Sequence, residues 1–344
     1  MLHKLKFNPP ESWKVIHTFE MHTGGEPLRI ITDGLPEIKG NTILEKQKYF
    51  KDKYDFIRKG LMWEPRGHAD MYGAVLTGPV TADGDFGVFF LHNEGYSTMC
   101  GHAIIALTKM VIETGLIQKK GKEQELKIDT PSGRVLSYAK TDNNVVKKVR
   151  FRNVPSFVYL KDKEVEVPGI GMVSFDAAFG GAFYALCDVK QLGINMDATD
   201  YDKLVDYGKR IKRAVNGNFN VRHSEHPELG FLYGVIFTGD PYDYHNHSRN
   251  VCVFADGEVD RSATGTGVSA RAALHYANGD ISLGEEITIE SILGSTMQVK
   301  VVEETKVGVK DAVIPEVSGS AWFTGRNECW FDPDDPLKEG FIFR

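Results

Sequence analysis

Two short segments of this 344-residue chain carry residue types that could do chemistry together. The first is Met99-Cys100-Gly101-His102-Ala103, which leads into a long apolar run. A helix start has unpaired N–H groups and the positive end of the macrodipole. With His102 close by, that environment lowers a thiol pKa and makes the thiolate available as base or nucleophile. The second segment is Asp260-Arg261-Ser262-Ala263-Thr264-Gly265-Thr266-Gly267, which opens a run of small residues. Gly101 and Gly265 let a ligand approach the backbone closely. If the two segments face each other, their N–H groups converge on one small anion, and a carboxylate suits such a site. Phosphate is less apt, because neither loop has the GxxxxGK[ST] pattern. Thr264 is the counterpart of Cys100, with a hydroxyl that hydrogen-bonds but does not titrate; its plainer reading is a helix N-cap. Asp260 suits a substrate ammonium, or else an ion pair with Arg261. His102 could share that ammonium or a leaving group, or simply be a satisfied helix-start histidine. Cys187, Cys252 and Cys329 read as buried structural thiols.

The elements that must position these residues show an internal repeat. Strands are expected at 15–19 and 28–32, a helix with cap chemistry at Asn41-Thr42 over 41–60, and strands at 72–76 and 86–91. Residues 101–115 are apolar nearly all round, as in a helix buried on every side. Short strands fill 126–173, and an amphipathic helix spans 201–215. Strands at 232–237 and 250–254 precede a small-residue helix at 268–277. Further strands lie at 287–302 and 312–322. Three features recur in the same order in both halves: Gly24-Gly25 and Gly180-Gly181, the segments at Cys100 and Thr264, and the turns Thr130-Pro131-Ser132-Gly133 and Ile292-Leu293-Gly294-Ser295. Two similar strand-rich lobes, each burying one helix, account for that order.

Composition excludes several other functions. Lys plus Arg number 41 against 47 Asp plus Glu, a net charge of −6, so there is no basic surface for nucleic acid. No apolar run approaches the roughly 18 residues of a membrane span. Residues 1–10 lack the apolar stretch and cleavage site of a leader. Four scattered cysteines fit a reducing, cytoplasmic setting better than a disulfide framework. His223-x-x-His226 and His245-x-His247 could suggest a metal, but no Cys/Asp cluster accompanies them.

The segments at Cys100 and at Asp260 to Gly267 resemble the two signature motifs of the proline racemase family. Met21-His22-Thr23-Gly24-Gly25-Glu26-Pro27, Pro65-Arg66-Gly67-His68 and Gly180-Gly181-Ala182 resemble further landmarks of it. The resemblance covers nearly the whole chain. It implies an α+β fold of two pseudo-symmetric lobes, the diaminopimelate-epimerase-like (proline racemase) fold, each a strand-rich shell around a buried helix. It also implies an active site between the lobes, a small-molecule imino acid substrate, no metal, no cofactor and a homodimer. The lobes are expected over 1–175 and 176–324, with the segment of about 325–344 a candidate to return to the first.

Racemases and hydroxyproline epimerases of this family have cysteine in both motifs, whereas Thr264 stands in the second here. The Cys/Thr pair resembles the trans-3-hydroxy-L-proline dehydratase branch. That resemblance implies Cys100 as acceptor of the α-proton and Thr264 as its partner. It implies the backbones of Gly101, His102, Gly265 and Thr266 on the carboxylate, Asp260 on the ring nitrogen, and Tyr72 and Phe254 as aromatic walls. Racemisation needs acid and base on opposite faces, whereas dehydration needs one base and a departing 3-hydroxyl. The alternative, a proline racemase or hydroxyproline 2-epimerase, needs a second acid/base that neither motif supplies. A cysteine hydrolase is disfavoured because Cys100 and His102, two residues apart, rarely give nucleophile–base geometry. An amino-acid-binding module would keep the helix ends but not need Cys100.

Overall fold

The computed structural model describes residues 7–343, so the leader reading of residues 1–10 lies partly outside them, as does Arg344. Strands β1 (Lys14–Thr23) and β2 (Glu26–Asp33) form an antiparallel hairpin around Gly24 and Gly25, both at positive φ, where glycine is unstrained. Helix α1 (Ile43–Met62) crosses to β3 (Tyr72–Thr77), which lies parallel to β2. Thr42 caps α1, its Oγ1 accepting the Glu45 N–H at 3.1 Å, as the Asn41-Thr42 chemistry anticipates. β4 (Phe86–His92) and β5 (Tyr96–Ser97) follow in antiparallel pairing and lead to α2 (Gly101–Glu113). β6 (Glu123–Thr130) returns parallel to β4, and β7 (Gly133–Asp142) and β8 (Val145–Arg152) complete a meander.

After β9 (Phe157–Val167), the same pairing order repeats. β10 (Gly171–Phe179) and β11 (Phe183–Asp188) turn at Gly180-Gly181, and α3 (Tyr201–Asn218) crosses to β12 (Leu232–Gly239), parallel to β11. β13 (Ser248–Phe254) and β14 (Glu258–Asp260) precede α4 (Gly265–Asn278). β15 (Glu286–Glu290) then runs parallel to β13, and β16 (Thr296–Val307) and β17 (Lys310–Gly319) close the second meander. The chain is therefore α+β, two pseudo-symmetric lobes of one topology. An antiparallel ladder between β8 and β17 stitches them together. β18 (Ala321–Phe331) pairs with β1, as β9 pairs with β10. Position 175, after which a lobe division was expected, falls within β10.

Burial explains why the helix sequences look as they do. Ala103, Ile104, Ile105, Ala106, Leu107 and Val111 of α2 are inaccessible, so no polar stripe is possible. In α4, Val268, Ser269, Ala270 and Ala272 are equally buried, and their small size allows close packing. A Cβ on Gly180 would lie 2.2 Å from the Thr266 carbonyl oxygen, so the turn before β11 sits directly on α4. On the outer faces, Phe50, Ile57 and Leu61 of α1 pack over Ile31, Val75 and Phe89. Leu204, Ile211 and Val215 of α3 do the same over Phe183, Val235 and Phe237.

The last strands differ from expectation. The run expected over 312–322 divides at Ser320 into β17 and β18. Trp322 to Glu328 are exposed on both faces, so β18 carries none of the alternation that marks a half-buried strand. Among the described residues no helix is long and apolar enough to cross a membrane. Because α2 is packed on every side, Ile104→Ala is expected to cost about 2–5 kcal/mol in urea unfolding. A cost below 1 kcal/mol would mean that the shell around α2 collapses freely.

Candidate active site

Cys100 stands at the N-cap of α2 and Thr264 at the N-cap of α4. The repeat brings these two helix starts into backbone contact. A Cβ on Gly101 would lie 2.7 Å from Gly265 Cα, and one on Gly265 would lie 2.7 Å from Gly101 Cα. Thr23 Oγ1 donates to the His102 carbonyl at 2.8 Å, which ties the start of α2 to β1. The first N–H groups of a helix have no intrahelical partner, so two sets of donors converge where α2 and α4 meet.

Beside this contact lies a cavity of about 20 Å³, room for one water. Tyr72, Cys100, Gly101, His102, Phe254, Asp260, Thr264 and Thr266 all line it. Gly265, the remaining expected site residue, packs against Gly101 and does not line the cavity. The Tyr72 ring meets His102 edge-on at 4.9 Å and Phe254 at 6.2 Å. Its hydroxyl hydrogen-bonds with Ser97 Oγ.

Cys100 Sγ lies 3.2 Å from His102 Nδ1, so the pair has the very geometry that its spacing was expected to deny. The reason is that Cys100 is in extended backbone ahead of the helix, at φ −147°. The rule that keeps i and i+2 side chains apart on a helix surface does not reach it. The expected activation of the thiol is also reversed. Burial pushes the Cys100 thiol well above its usual range, and the nearby Asp260 and Glu26 carboxyls add to this. The Ala103 N–H and the Tyr72 hydroxyl, both hydrogen-bonding to the sulfur, act in the opposite direction. Burial lowers His102 to about 4. The pair is a neutral thiol beside a neutral imidazole, not a thiolate beside an imidazolium.

Asp260 does not pair with the Arg261 side chain. Arg261 reaches Asp70 at 2.8 Å, while Asp260 Oδ1 accepts the Ser262 N–H at 2.7 Å. Glu26 Oε2 accepts the Arg261 N–H at 2.7 Å, and its Oε1 is buried without a partner. Burial first, and then the charge of Asp260, push Glu26 well above the carboxylate range.

Thr264 is not an ordinary N-cap. It holds φ +65° and ψ +92°, a strained conformation for a β-branched residue and outside the extended region that capping requires. Its hydroxyl caps no helix N–H and is buried without a hydrogen-bond partner.

Three cavity residues escaped the reading of the sequence. Tyr233, on β12, begins the pair Tyr233-Gly234, the repeat counterpart of Tyr72-Gly73 on β3, and that parallel could have found it. Tyr184 hydrogen-bonds with Thr266 Oγ1 at 2.7 Å. Cys252 sits opposite Asp260 in the β13–β14 ladder and lines the cavity, where a structural thiol was expected. Nothing in its strand sequence signals this. The histidine pairs have local roles: His223 Nδ1 accepts the N–H groups of Glu225 and His226, and His245 pairs with Asp243 at 2.8 Å. Among the described residues no group of three or more His, Cys, Asp or Glu side chains is placed to hold a metal.

The backbone contact has a measurable signature. Gly101→Ala and Gly265→Ala each must part the two helix starts, so the double variant is expected to cost less than the sum of the singles. A coupling of about 0.5–3 kcal/mol in urea unfolding is the expected size, and strict additivity would mean that the two glycines do not share one contact.

A family model described as proline racemase matches residues 18–342. A trans-3-hydroxy-L-proline dehydratase of Colwellia psychrerythraea (strain 34H) is 53% identical over 334 residues, covering 97% of this chain and 94% of that protein. A 3-hydroxyproline 2-epimerase of Burkholderia multivorans is 44% identical over 329 residues, covering 96% of this chain and 98% of that protein. The crystal structure of a hydroxyproline epimerase from Agrobacterium vitis superposes with a TM-score of 0.89 at 29% identity, covering 96% of each chain. A match of this extent, together with paired helix starts carrying Cys100 and Thr264, places the chain in the proline racemase family.

Proposed function

We propose that this chain is a trans-3-hydroxy-L-proline dehydratase, a hydro-lyase that needs no cofactor. The observation that carries this reading is a thiol at one helix start and a hydroxyl at the other, lining one small cavity. The substrate carboxylate sits on the first-turn N–H groups around Gly101, His102, Gly265 and Thr266. Asp260 holds the ring ammonium, and Tyr72 and Phe254 flank the ring. A proline-sized ring exceeds the cavity of about 20 Å³, so the walls part to admit it.

Charge then explains how a protonated thiol becomes a base. Cys100 is held neutral by burial and by nearby carboxyls. A substrate ammonium at Asp260 cancels much of that negative field and favours the thiolate, and the neutral His102 ring, with Nδ1 3.2 Å from the sulfur, stays in contact with it. The thiolate removes the α-proton, and the helix ends stabilise the enolate-like carboxylate. The electron pair expels the 3-hydroxyl, which in the trans isomer lies on the same ring face as the α-hydrogen. The enamine formed tautomerises to Δ1-pyrroline-2-carboxylate.

A specific observation favours 2-epimerisation as the second reading, since Cys252 is a second thiol in the same cavity. Against it, Thr264 occupies the position opposite Cys100, and a hydroxyl neither gives up nor returns a proton at carbon readily near neutral pH. We also assign β1–β8 with β18 to one lobe and β9–β17 to the other. This reading is supported by the β9–β10 and β1–β18 ladders and replaces a division after residue 175. A homodimer in the cytoplasm completes the proposal, on the strength of the family resemblance.

Proton NMR in D2O with trans-3-hydroxy-L-proline, L-proline and 4-hydroxy-L-proline in separate tubes tests the function. Loss of the 3-hydroxy compound to a pyrroline carboxylate, without inversion of the other two, is the expected outcome. Inversion instead would install the epimerase reading. Cys100→Ser is expected to lower turnover at least about 10³-fold, and Thr264→Ala about 10²-fold. The pH profile has a definite sign. The active form of Cys100 is deprotonated and its pKa is raised, so kcat/KM is expected to climb from pH 7 to 9 and to fall away in acid. His102, lowered to about 4, should add no inflection between pH 6 and 7. An inflection there would show that the imidazole titrates in the working range.

A further inference from the structure

We propose that His92, which does not line the substrate cavity, is a positioning residue. Through Glu258 it fixes the strand that carries Asp260, and so sets how tightly the site holds a ring ammonium. The inference rests on the placement of the substrate nitrogen at Asp260 given above, and it applies to any imino acid bound there.

Asp260 ends β14, a strand of three residues, too short for its ladder alone to hold it firmly. That ladder joins Cys252 with Asp260, Val253 with Val259 and Phe254 with Glu258. Glu258 and Asp260 are two residues apart, so their side chains leave the same face of β14. Asp260 lines the cavity, whereas Glu258 is wholly buried behind it. Glu258 Oε1 lies 3.0 Å from His92 Nδ1, and the same oxygen accepts the Glu94 N–H at 3.2 Å. A carboxylate only accepts, so this network assigns the hydrogen of the first bond to Nδ1.

His92 comes from β4, in the lobe that supplies Cys100, whereas β14 belongs to the other lobe. Its ring stacks on Tyr72, its partner in the β3–β4 ladder, at 5.8 Å and meets Phe254 edge-on at 5.8 Å. One imidazole therefore joins both aromatic walls of the cavity to the strand that bears the carboxylate. On the far side of Asp260 the first lobe grips again. Glu26 Oε2 accepts the Arg261 N–H at 2.7 Å, and Asp70 pairs with the Arg261 guanidinium at 2.8 Å. Asp260 is thus bracketed by ties to the opposite lobe, with the Glu258 tie acting on its own face of the strand. A carboxylate held in place by such support binds an ammonium more tightly than one free to shift, although the support never touches the ligand.

The test measures binding of trans-3-hydroxy-L-proline and of L-proline by ligand NMR in a Cys100→Ser background, where turnover does not consume them. His92→Phe keeps a flat ring against Tyr72 and Phe254 but cannot hydrogen-bond, and it is expected to weaken binding at least about tenfold. Glu258→Gln, which keeps an acceptor for Nδ1–H, should stay within about threefold of the parent. Because His92→Phe strips a buried carboxylate of its histidine, His92→Phe/Glu258→Gln removes that charge and serves where the single variant folds poorly. Asp260→Asn is expected to weaken binding itself and to abolish the effect of His92→Phe. A loss from His92→Phe that persists in Asp260→Asn would reduce His92 to packing, and full binding by His92→Phe would overturn the proposal outright. Unimpaired binding by Asp260→Asn, or no binding of either imino acid by the parent, would overturn the placement of the nitrogen and this proposal with it. The dehydratase reading is judged apart from all of these, by turnover of the wild type.

Discussion

Two helix N-termini that touch backbone to backbone are the constraint on which the rest of the structure depends. Gly101 and Gly265 approach so closely that either Cβ would enter the other main chain. The contact brings two positive dipole ends together, an arrangement that is unfavourable until an anion lies between them. The fold therefore has to enforce it. It does so by burying α2 on every side, by packing the small residues of α4 against the β10–β11 turn, and by stitching the lobes through β8 and β17. On the proposed reading, a carboxylate substrate relieves the same repulsion.

Burial is the second organising feature, and it works against ionisation of the Cys100 thiol. Cys100 and Glu26 are both desolvated, and Cys100 lies against a small cavity with aromatic walls. Desolvation outweighs the helix end and keeps the thiol protonated. On the proposed reading, a zwitterionic imino acid brings one charge of each sign to this site, which couples activation of the base to occupancy.

Overall similarity does not separate the chemistries found among relatives. A dehydratase and an epimerase lie at 53% and 44% identity over nearly the same span. In this chain a hydroxyl, that of Thr264, stands at the helix start paired with that of Cys100, and the proposed reading needs no second acid/base there. The strain at Thr264 keeps that hydroxyl off the helix N–H groups that a relaxed N-cap would engage.

Much of this architecture was legible in the residues. The glycine pairs, the two helix starts and the apolar, stripeless helix at 101–115 report local backbone needs and complete burial, and both are written in residue type. The repeat was legible for the same reason, because each lobe needs glycine at the same turns. β18 was not, since a strand exposed on both faces lacks a pattern and is held by its ladder to β1. The sequence by itself determined which groups could act, a thiol and imidazole at one helix start and a hydroxyl and carboxylate at the other. Only the tertiary structure decided that Cys100 and His102 touch, that both are neutral, and that Cys252 belongs to the site. Proton affinity is set by solvent exclusion and by neighbours distant in the chain. Glu26, Asp260 and Cys252 become neighbours of Cys100 only when the two lobes close around it.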